Sequence, residues 1–194
     1  MKIILASASP RRRELLSAVC RDFEIKTAET DETLDESIHP RRGVEILAIR
    51  KGRAVADTLG AEEVKNCVII SSDTLVELGG IPLGKPESAA HAKKMLRELS
   101  GKAHFVHTGI AVHAGGKLYS GVATTGVYFR ELTDAEIDEY IATGEPMDKA
   151  GAYGIQGLGG KFVEKIEGDF DTVVGFSMRL LGELCEQAGV SISE

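Results

Sequence analysis

The hydrophobic positions of this chain recur with two periods, and these periods predict strands alternating with helices. Short segments that are apolar throughout, such as 2–6 and 67–70, predict strands that are buried on both faces. Segments in which apolar and polar residues alternate predict strands with one buried face, and Gly115-Gly116 between two of them predicts a hairpin. The predicted strands are 2–6, 23–26, 67–70 with its continuation 74–76, 103–113, 117–129 and 161–166.

Between these segments, apolar residues recur every three or four positions, which is the spacing of a helix with one buried face. Pro10 and Pro40 suit the first turn of a helix, and Gly60 suits the position just after a helix ends. Thr133 and Glu136 have the spacing of a capping box. The predicted helices are 10–19, 40–59, 88–99, 133–143 and 173–187, and the predicted loops include 27–39 and the glycine-rich stretch 144–160.

The order of these elements mixes βα units with one antiparallel hairpin. That order predicts an α/β fold with a mixed, twisted sheet flanked by helices on both sides. The 194 residues are enough for one sizeable domain or for two small lobes around a shared core. No internal repeat and no clear linker interrupts the pattern.

Composition and charge narrow the class of protein further. No apolar run approaches the roughly 20 residues that a membrane span needs, and the N-terminal segment lacks the features of a signal peptide. The cysteines stand singly, without the spacing of a zinc site or a disulfide framework, so we expect a cytoplasmic protein with reduced thiols. The net charge of −7 argues against duplex nucleic acid as a partner, although a local basic cluster can still hold a small anion.

The first candidate for chemistry is the junction between the first strand and the first helix, with Ser7, Ser9, Arg11 and Arg12. Backbone N–H groups at a helix N-terminus bind anions, and guanidinium groups contact phosphate oxygens in pairs. Arginine in a first helical turn opposes the helix dipole, so an anionic ligand would relieve that conflict. The alternative is a serine cap beside a solvated face of arginines. Arg13 is expected to be solvated in either case.

Two further candidates follow the run 67–70 along the chain. Asp73 and Thr74 come after the predicted strand, where ligands bind in open α/β sheets, and a carboxylate there can hold a divalent metal or activate water. Lys85 stands between a glycine and a proline and can reach a phosphate as a point charge. The alternatives are an aspartate in an ordinary turn and a solvated lysine.

The fourth candidate is the glycine-rich stretch 144–160. It matches neither a Walker A loop nor the GxGxxG turn of dinucleotide-binding proteins. Its useful side chains are those of Asp148, Lys149 and Gln156. Gln156 carries two donors and an acceptor, which suits the edge of a nucleobase. The alternative is a loop with incidental polar groups.

These stretches belong to a larger set of motifs, namely Leu5-Ala6-Ser7 with Ser9-Pro10-Arg11-Arg12, Glu14-Leu15-Leu16, Asp73-Thr74, Gly84-Lys85-Pro86, Leu99-Ser100-Gly101, Thr108-Gly109, and Gly144-Glu145 with 148–157. In this order, the set resembles the Maf family of nucleotide pyrophosphatases over essentially the whole chain. The last motif is similar to the branch of the family that acts on dTTP and UTP. One departure is Phe176-Ser177, where the family usually has Leu-Pro.

The resemblance implies a fold, a reaction and a cofactor. The implied fold is Maf/ITPase-like, with residues 1–194 as a single domain and two lobes around a central cleft. The implied reaction is hydrolysis of dTTP and UTP, or of modified pyrimidine nucleotides, between the α and β phosphates, as house-cleaning of nucleotide pools. The implied cofactor is a divalent metal cation, Mg²⁺ or Mn²⁺. The partner is then a nucleoside triphosphate, not duplex nucleic acid or a membrane, and a homodimer is one option for the oligomeric state.

The resemblance also assigns roles to individual residues. Asp73 corresponds to the proton acceptor of the family, and Glu32 is expected to act as a second acid or metal ligand beside it. Lys51 and Lys85 complete the expected catalytic group and, with Arg12, would neutralise charge on the leaving pyrophosphate. The residues expected to bind the substrate are Ser7, Arg11, Arg12, Thr74, Asp148, Lys149 and Gln156.

Two other functions are alternatives to this reaction. A nucleotide-binding regulator of septum formation would use the same cleft with little turnover. A phosphatase that removes the terminal phosphate would release orthophosphate instead of pyrophosphate. The presence of the complete group of Asp73, Glu32, Lys51 and Lys85 favours an enzyme over a regulator.

Overall fold

One seven-stranded sheet organises the chain in the computed structural model, which describes residues 1–192. The strands are β1 (Lys2–Leu5), β2 (Glu24–Ile25), β3 (Cys67–Leu78), β4 (Ile81–Leu83), β5 (Ala103–Ala114), β6 (Lys117–Phe129) and β7 (Val163–Glu167). Their order is β2-β1-β3-β5-β6-β7, and β4 also pairs with β3. β1 runs parallel to β2 and β3, and the remaining pairs are antiparallel. The mixed sheet is therefore confirmed.

Helices cover both faces of this sheet, as predicted. They are α1 (Pro10–Ser17), α2 (Pro40–Asp57), α3 (Ala61–Lys65), α4 (Ala89–Leu99), α5 (Asp134–Ala142), α6 (Phe170–Val174) and α7 (Met178–Ala188). On one face, Val55 of α2 packs with Ile4 and Ile69 of the sheet. On the opposite face, Leu181 of α7 packs with Ile70. Successive β3 residues therefore contact different helix layers, which follows from the alternation of side chains along a strand.

The predicted helix 173–187 is wrong in its first part. The chain forms the short helix α6, turns at Gly175 with a φ of 115°, and begins α7 at Met178. A positive φ of this kind strongly favours glycine. Ser177 then caps α7, because its Oγ accepts a hydrogen bond from the N–H of Leu180 at 3.3 Å. Serine thus supplies a helix cap at the position where the resemblance leads us to expect a proline.

One smaller prediction also needs correction, and two short elements were missed. The predicted strand 161–166 begins later, because residues Leu158–Phe162 form a 3₁₀ turn before β7. The short elements α3 and β4 were not predicted. α3 has five residues and none of them is buried, so no buried face marks it in the sequence. β4 has three residues with a proline at its centre, which is too short for an alternating pattern.

The largest correction concerns β3. The sequence predicts a strand at 67–70 that continues at 74–76, with the polar stretch that contains Asp73 interrupting it. Instead, β3 continues without a break to Leu78, and Asp73 lies in its interior opposite Gly109 of β5. Ser71 and Ser72 make this possible because each is buried and hydrogen-bonded, to the carbonyl oxygens of Ala48 at 2.7 Å and Gly175 at 3.1 Å.

Within residues 1–192, no helix has both the length and the apolar character that crossing a membrane requires.

Acid should weaken the fold through His104, a buried residue of β5. Burial lowers the pKa of His104 to about 4, and its Nε2 shares a hydrogen bond with the hydroxyl of Tyr153 at 2.8 Å. Between about pH 6.5 and pH 4, the unfolded chain binds a proton at this ring that the folded chain does not bind. The free energy of unfolding should therefore fall by up to about 1.4 kcal/mol per pH unit as the pH decreases through this range.

Urea denaturation of wild type and His104→Phe at several values between pH 7 and pH 4.5 measures this effect. The substitution is expected to reduce the pH slope of the free energy of unfolding, whatever constant offset it adds. Equal slopes for the two proteins would contradict the assignment. A residual slope is expected in the variant, because burial also lowers the pKa values of His107 and His113.

Candidate active site

An interruption in strand pairing along one edge of β3 creates the main cleft of the molecule. β1 pairs with β3 as far as Ile70, and β4 begins to pair with it at Val76. Within the described residues 1–192, the segment 71–75 therefore has a strand neighbour on the β5 side only. The cleft opens along this interruption and has a volume of about 700 Å³. Because the edge is uncovered, side chains from both faces of β3 reach the same space.

All of the predicted site residues except Ser7 line this cleft. They come from α1, the loop before α2, α2 itself, β3, the segment after β4 and the glycine-rich stretch. Ser7 lies behind the wall, where its Oγ accepts a hydrogen bond from Arg12 at 3.3 Å. The lining residues from the predicted set are Arg11, Arg12, Glu32, Lys51, Asp73, Thr74, Lys85, Asp148, Lys149 and Gln156.

Arg12 fills the interruption in strand pairing. Its Nη1 donates to the backbone oxygen of Ser72 at 2.7 Å, at the edge where a neighbouring strand would otherwise supply an N–H. Its Nε donates to the backbone oxygen of Gly175 at 2.9 Å, and Nη2 lies 3.4 Å from Thr74 Oγ1. With the bond to Ser7, four of the five N–H groups of the guanidinium have protein partners, which leaves one for a ligand. The alternative of a solvated arginine face applies to Arg13, which is exposed, and not to Arg12.

The acidic side of the cleft is a chain of three charged side chains. The ammonium of Lys51 lies 2.5 Å from Asp73 Oδ1 and 2.9 Å from Glu32 Oε1, so it bridges the two carboxylates. The side chain of Asp73 is only 11% exposed, whereas that of Glu32 is 61% exposed. The inner carboxylate is therefore held in place, and the outer one is free to reorient.

α2 delivers Lys51 to this position because it lies unusually close to the sheet. A Cβ atom at Gly109 of β5 would lie 2.4 Å from the backbone oxygen of Val44, so the helix backbone can approach only a glycine there. The hydrogen bond from Ser71 Oγ to the Ala48 backbone oxygen fixes the same approach one turn later. The Thr108-Gly109 motif thus has a direct structural role beneath the acidic group.

The opposite wall comes from the glycine-rich stretch. Lys149 Nζ donates to Asp148 Oδ1 at 2.7 Å and to the backbone oxygen of Glu145 at 2.9 Å, so the charges of Asp148 and Lys149 largely offset one another. This hydrogen bond from Lys149 lowers the pKa of Asp148. Lys85 and Gln156, by contrast, are exposed, and neither side chain has a hydrogen-bonding or ionic partner within residues 1–192. Both side chains are therefore available to a ligand.

Gly175 is a residue of the site that the sequence did not predict. Its backbone oxygen accepts hydrogen bonds from both Arg12 and Ser72, and it lines the cleft. A Cβ atom there would lie 3.2 Å from Thr74 Oγ1. The sequence did carry one signal for this residue, because a glycine inside a predicted helix can mark a break in that helix.

The carboxylates of Asp73 and Glu32 fit a metal that arrives with a phosphate ligand, not one that the protein holds alone. Among residues 1–192, no group of three or more His, Cys, Asp or Glu side chains is arranged to hold a metal ion. Mg²⁺ in nucleotide enzymes typically uses one or two carboxylates, water and the phosphate oxygens of the substrate. A pair of oxygen ligands, one buried and one exposed, matches that pattern.

The mixed sheet, its flanking helices and the main cleft define an α/β protein whose fold is similar to that of a solved structure. The structure of the Staphylococcus aureus Ham1 protein aligns with a TM-score of 0.50 at 19% sequence identity, covering 95% of this chain and 91% of that one. The model of the Maf family, described as Maf-like protein, matches residues 2–188. The chain therefore belongs to the Maf family.

Individual relatives within the family are close. A protein of Moorella thermoacetica named dTTP/UTP pyrophosphatase is 47% identical over 98% of this chain and 97% of its own length. Proteins of the same name from Thermococcus kodakarensis and Thermotoga maritima are 47% and 46% identical, over 95% and 97% of this chain and 95% and 90% of their own lengths.

Replacing Arg12 should destabilise the fold even without a ligand. Arg12→Lys keeps the charge, but a single ammonium cannot satisfy the separated backbone oxygens of Ser72 and Gly175 in the way that a planar guanidinium does. We expect a loss of about 2 kcal/mol in the free energy of unfolding, because a buried carbonyl is left without its charged donor. Urea denaturation measures the change, with Arg13→Lys on the exposed face as the matched control. Equal stabilities of the two variants would contradict this role for Arg12.

Proposed function

We propose that this chain hydrolyses dTTP and UTP between the α and β phosphates, releasing pyrophosphate and the nucleoside monophosphate. The observation that carries the proposal is the arrangement across one cleft. A lysine-bridged pair of carboxylates, Asp73 and Glu32, lines the same cleft as Lys85 and Gln156, whose side chains have no partner within residues 1–192. The identity of 46–47% to relatives named for this activity supports the choice of substrate.

In the proposed step, the oxygen of a water molecule attacks the α phosphorus while the bond from that phosphorus to the bridging oxygen of the β phosphate breaks. The proton of the water passes to Asp73, and the pyrophosphate leaves with the electron pair of the broken bond. Lys51 and Lys85 stabilise the charge that accumulates on the leaving group, since such transfers depend mainly on positioning and electrostatics. Arg12 contributes one remaining N–H and otherwise holds the wall of the site.

We also propose a divalent cation, Mg²⁺ or Mn²⁺, as cofactor, held by Asp73, Glu32 and the phosphate oxygens. Such a cation polarises the phosphoryl oxygens and offsets the negative charge of the triphosphate. Addition of EDTA should abolish pyrophosphate release, and either cation should restore it.

Gln156 is proposed to read the nucleobase. Uracil and thymine share an N3–H donor between two carbonyl acceptors, whereas cytosine carries an amino group at C4. A carboxamide can both accept from N3–H and donate to a neighbouring carbonyl. The exposed, unpartnered side chain of Gln156 in the cleft wall supports this role. Arg11 and Thr74 line the same cleft and are proposed as further substrate contacts.

We further propose a cytoplasmic setting, with residues 1–194 working as one domain on free nucleotides and not on duplex nucleic acid or a membrane. The net charge of −7 supports the exclusion of a polyanionic duplex, and the cleft is lined by residues from early, middle and late parts of the chain, which supports one domain. The homodimer remains an option that sedimentation of the purified protein distinguishes from a monomer.

Replacing the proposed proton acceptor should remove turnover but spare binding. Asp73→Asn keeps the size of the side chain and a hydrogen-bond acceptor for Lys51, but the amide cannot accept the proton of the attacking water. We expect pyrophosphate release from dTTP to fall at least about a hundredfold, in the range that general-base catalysis contributes. Calorimetric titration with a non-hydrolysable dTTP analogue should show a dissociation constant within a few fold of the wild-type value.

The matched control is Asp57→Asn, at the exposed C-terminal end of α2. A near wild-type rate for Asp73→Asn would sink the assignment. The assay should quantify pyrophosphate and orthophosphate separately. Release of orthophosphate alone would favour the terminal phosphatase, and tight binding with no release of either product would favour the nucleotide-binding regulator.

Removing the carboxamide of Gln156 should relax the choice of base. For wild type, kcat/KM should be higher for dTTP and UTP than for CTP and dATP. In Gln156→Ala, the ratio of kcat/KM for UTP to that for CTP should fall roughly tenfold, the value of about one good hydrogen bond of discrimination. Equal kcat/KM values for all four nucleotides in wild type would show that the site does not read the base at all.

A further inference from the structure

The turn that presents Gln156 is held from both sides by two residues outside the cleft, Tyr140 and Glu145. Before Gln156, the N–H of Gly154 donates to the hydroxyl oxygen of Tyr140 at 3.1 Å. After it, the N–H of Leu158 donates to Glu145 Oε2 at 3.0 Å.

Two more hydrogen bonds join Tyr140 to Glu145 and Glu145 to the turn. The Tyr140 hydroxyl donates to Glu145 Oε1 at 2.8 Å, and the N–H of Gly159 donates to the same oxygen at 3.1 Å. The backbone on each side of the base-reading residue is thus tied to one tyrosine–carboxylate pair.

The anchor of this pair lies in the core. Tyr140 is 1% exposed, and its ring packs edge-on against Phe162 with ring centroids 5.0 Å apart. Burial by itself would raise the pKa of Glu145, but hydrogen bonds from Leu158, Gly159 and Tyr140 outweigh burial and lower it. The carboxylate is therefore ionised at neutral pH. An ionised carboxylate accepts stronger hydrogen bonds from backbone N–H groups than a neutral carboxylic acid does.

The glycines of the turn lie where the Tyr140 and Glu145 side chains leave no room for a Cβ atom. A Cβ atom at Gly157 would lie 2.5 Å from Glu145 Oε1, and one at Gly159 would lie 2.6 Å from the Tyr140 hydroxyl. The two side chains therefore occupy the space beneath the turn, and only a chain without Cβ atoms at these positions can close over them. The glycine content of 154–159 thus has a specific cause that a merely flexible loop would lack.

We infer that Tyr140 and Glu145 are positioning residues that set the base selectivity of the cleft by holding the turn of Gln156. Neither residue lines the cleft, so neither contacts the nucleotide directly. The inference rests on the proposed base-reading role of Gln156. The acidic group of Asp73, Lys51 and Glu32 belongs to other elements of the fold, so loosening the turn should alter recognition of the base and leave the chemical step in place.

Steady-state kinetics with UTP and CTP test this inference on Glu145→Gln and Tyr140→Phe. Each variant should lower the ratio of kcat/KM for UTP to that for CTP about fivefold, through a higher KM for UTP, with kcat for UTP within about threefold of wild type. Combining either change with Gln156→Ala should lower the ratio little beyond the value of Gln156→Ala alone, because residues that act through one another are not additive.

The chain offers a matched control pair. Tyr128 of β6 donates the same kind of hydrogen bond to Glu167 of β7 at 2.7 Å, but on the exposed surface. Tyr128→Phe and Glu167→Gln should leave both the UTP-to-CTP ratio and kcat unchanged. Melting temperatures and circular dichroism of all variants show whether the fold persists. If Glu145→Gln does not fold, Tyr140→Phe and Gly157→Ala, which forces the carboxylate aside, carry the same test.

The outcomes separate this inference from the proposal on which it rests. If Gln156→Ala leaves the UTP-to-CTP ratio unchanged, the base-reading role itself is wrong. If Gln156→Ala lowers the ratio but Glu145→Gln and Tyr140→Phe do not, the positioning role is overturned while base reading stands. A loss of kcat for all nucleotides alike, with an unchanged ratio, would also overturn it, because that result indicates a general structural role.

Discussion

The candidate site depends on one local constraint, the backbone of β3 between residues 71 and 75. Strand pairing stops on one side of this segment, yet a buried carbonyl without a partner is costly. Arg12 resolves the conflict by donating to the Ser72 backbone oxygen in place of a neighbouring strand. Because a side chain replaces a strand, the edge is satisfied but not covered. A cleft at the centre of a sheet requires a strand edge of this kind, whose backbone groups are hydrogen-bonded although no neighbouring strand covers them.

The same interruption explains how opposite charges come together. Side chains on one face of β3 meet α2, which brings Lys51 to Asp73. Side chains on the other face meet α1 and the turn between α6 and α7, which places Arg12 beside Thr74. Within a fully paired strand these two faces would be separated by the sheet. At the interruption both faces border one space, so the carboxylate of Asp73 and the guanidinium of Arg12 line the same cleft.

Part of this arrangement could be predicted from the sequence and part could not. Apolar spacing located most strands and helices, and the polar motifs named the lining residues. The interior position of Asp73 was missed because Ser71 and Ser72 have the polarity of a turn, and only their partners, Ala48 and Gly175, show that they are buried in a strand.

The hydrogen bonds around the glycine-rich stretch were missed for a similar reason. Sequence spacing does not show that Lys149 bonds to its neighbour Asp148, or that Glu145 accepts hydrogen bonds from residues 13 and 14 positions later along the chain. Both results depend on how a loop closes in three dimensions, which a one-dimensional pattern does not contain. The glycines in the sequence indicated that the loop turns tightly, but they did not indicate which side chains it packs against.

Some side chains of the cleft are held by ionic contacts within the protein, and others have no partner among residues 1–192. This difference helps to distinguish an enzyme from a regulator. Lys51 and Asp73 are fixed by ionic contacts, which is the condition for electrostatic stabilisation of a transition state without reorganisation. In the proposed function, Lys85 and Gln156, which have no side-chain partner among residues 1–192, would lose rotamer freedom when a nucleotide binds, at a cost of up to about 2 kcal/mol each. Ground-state binding is therefore weakened while the chemical step remains prepared, and weak ground-state binding favours turnover. A protein that regulates by retaining nucleotide would require the opposite distribution, with its binding groups held and its acidic group unconstrained.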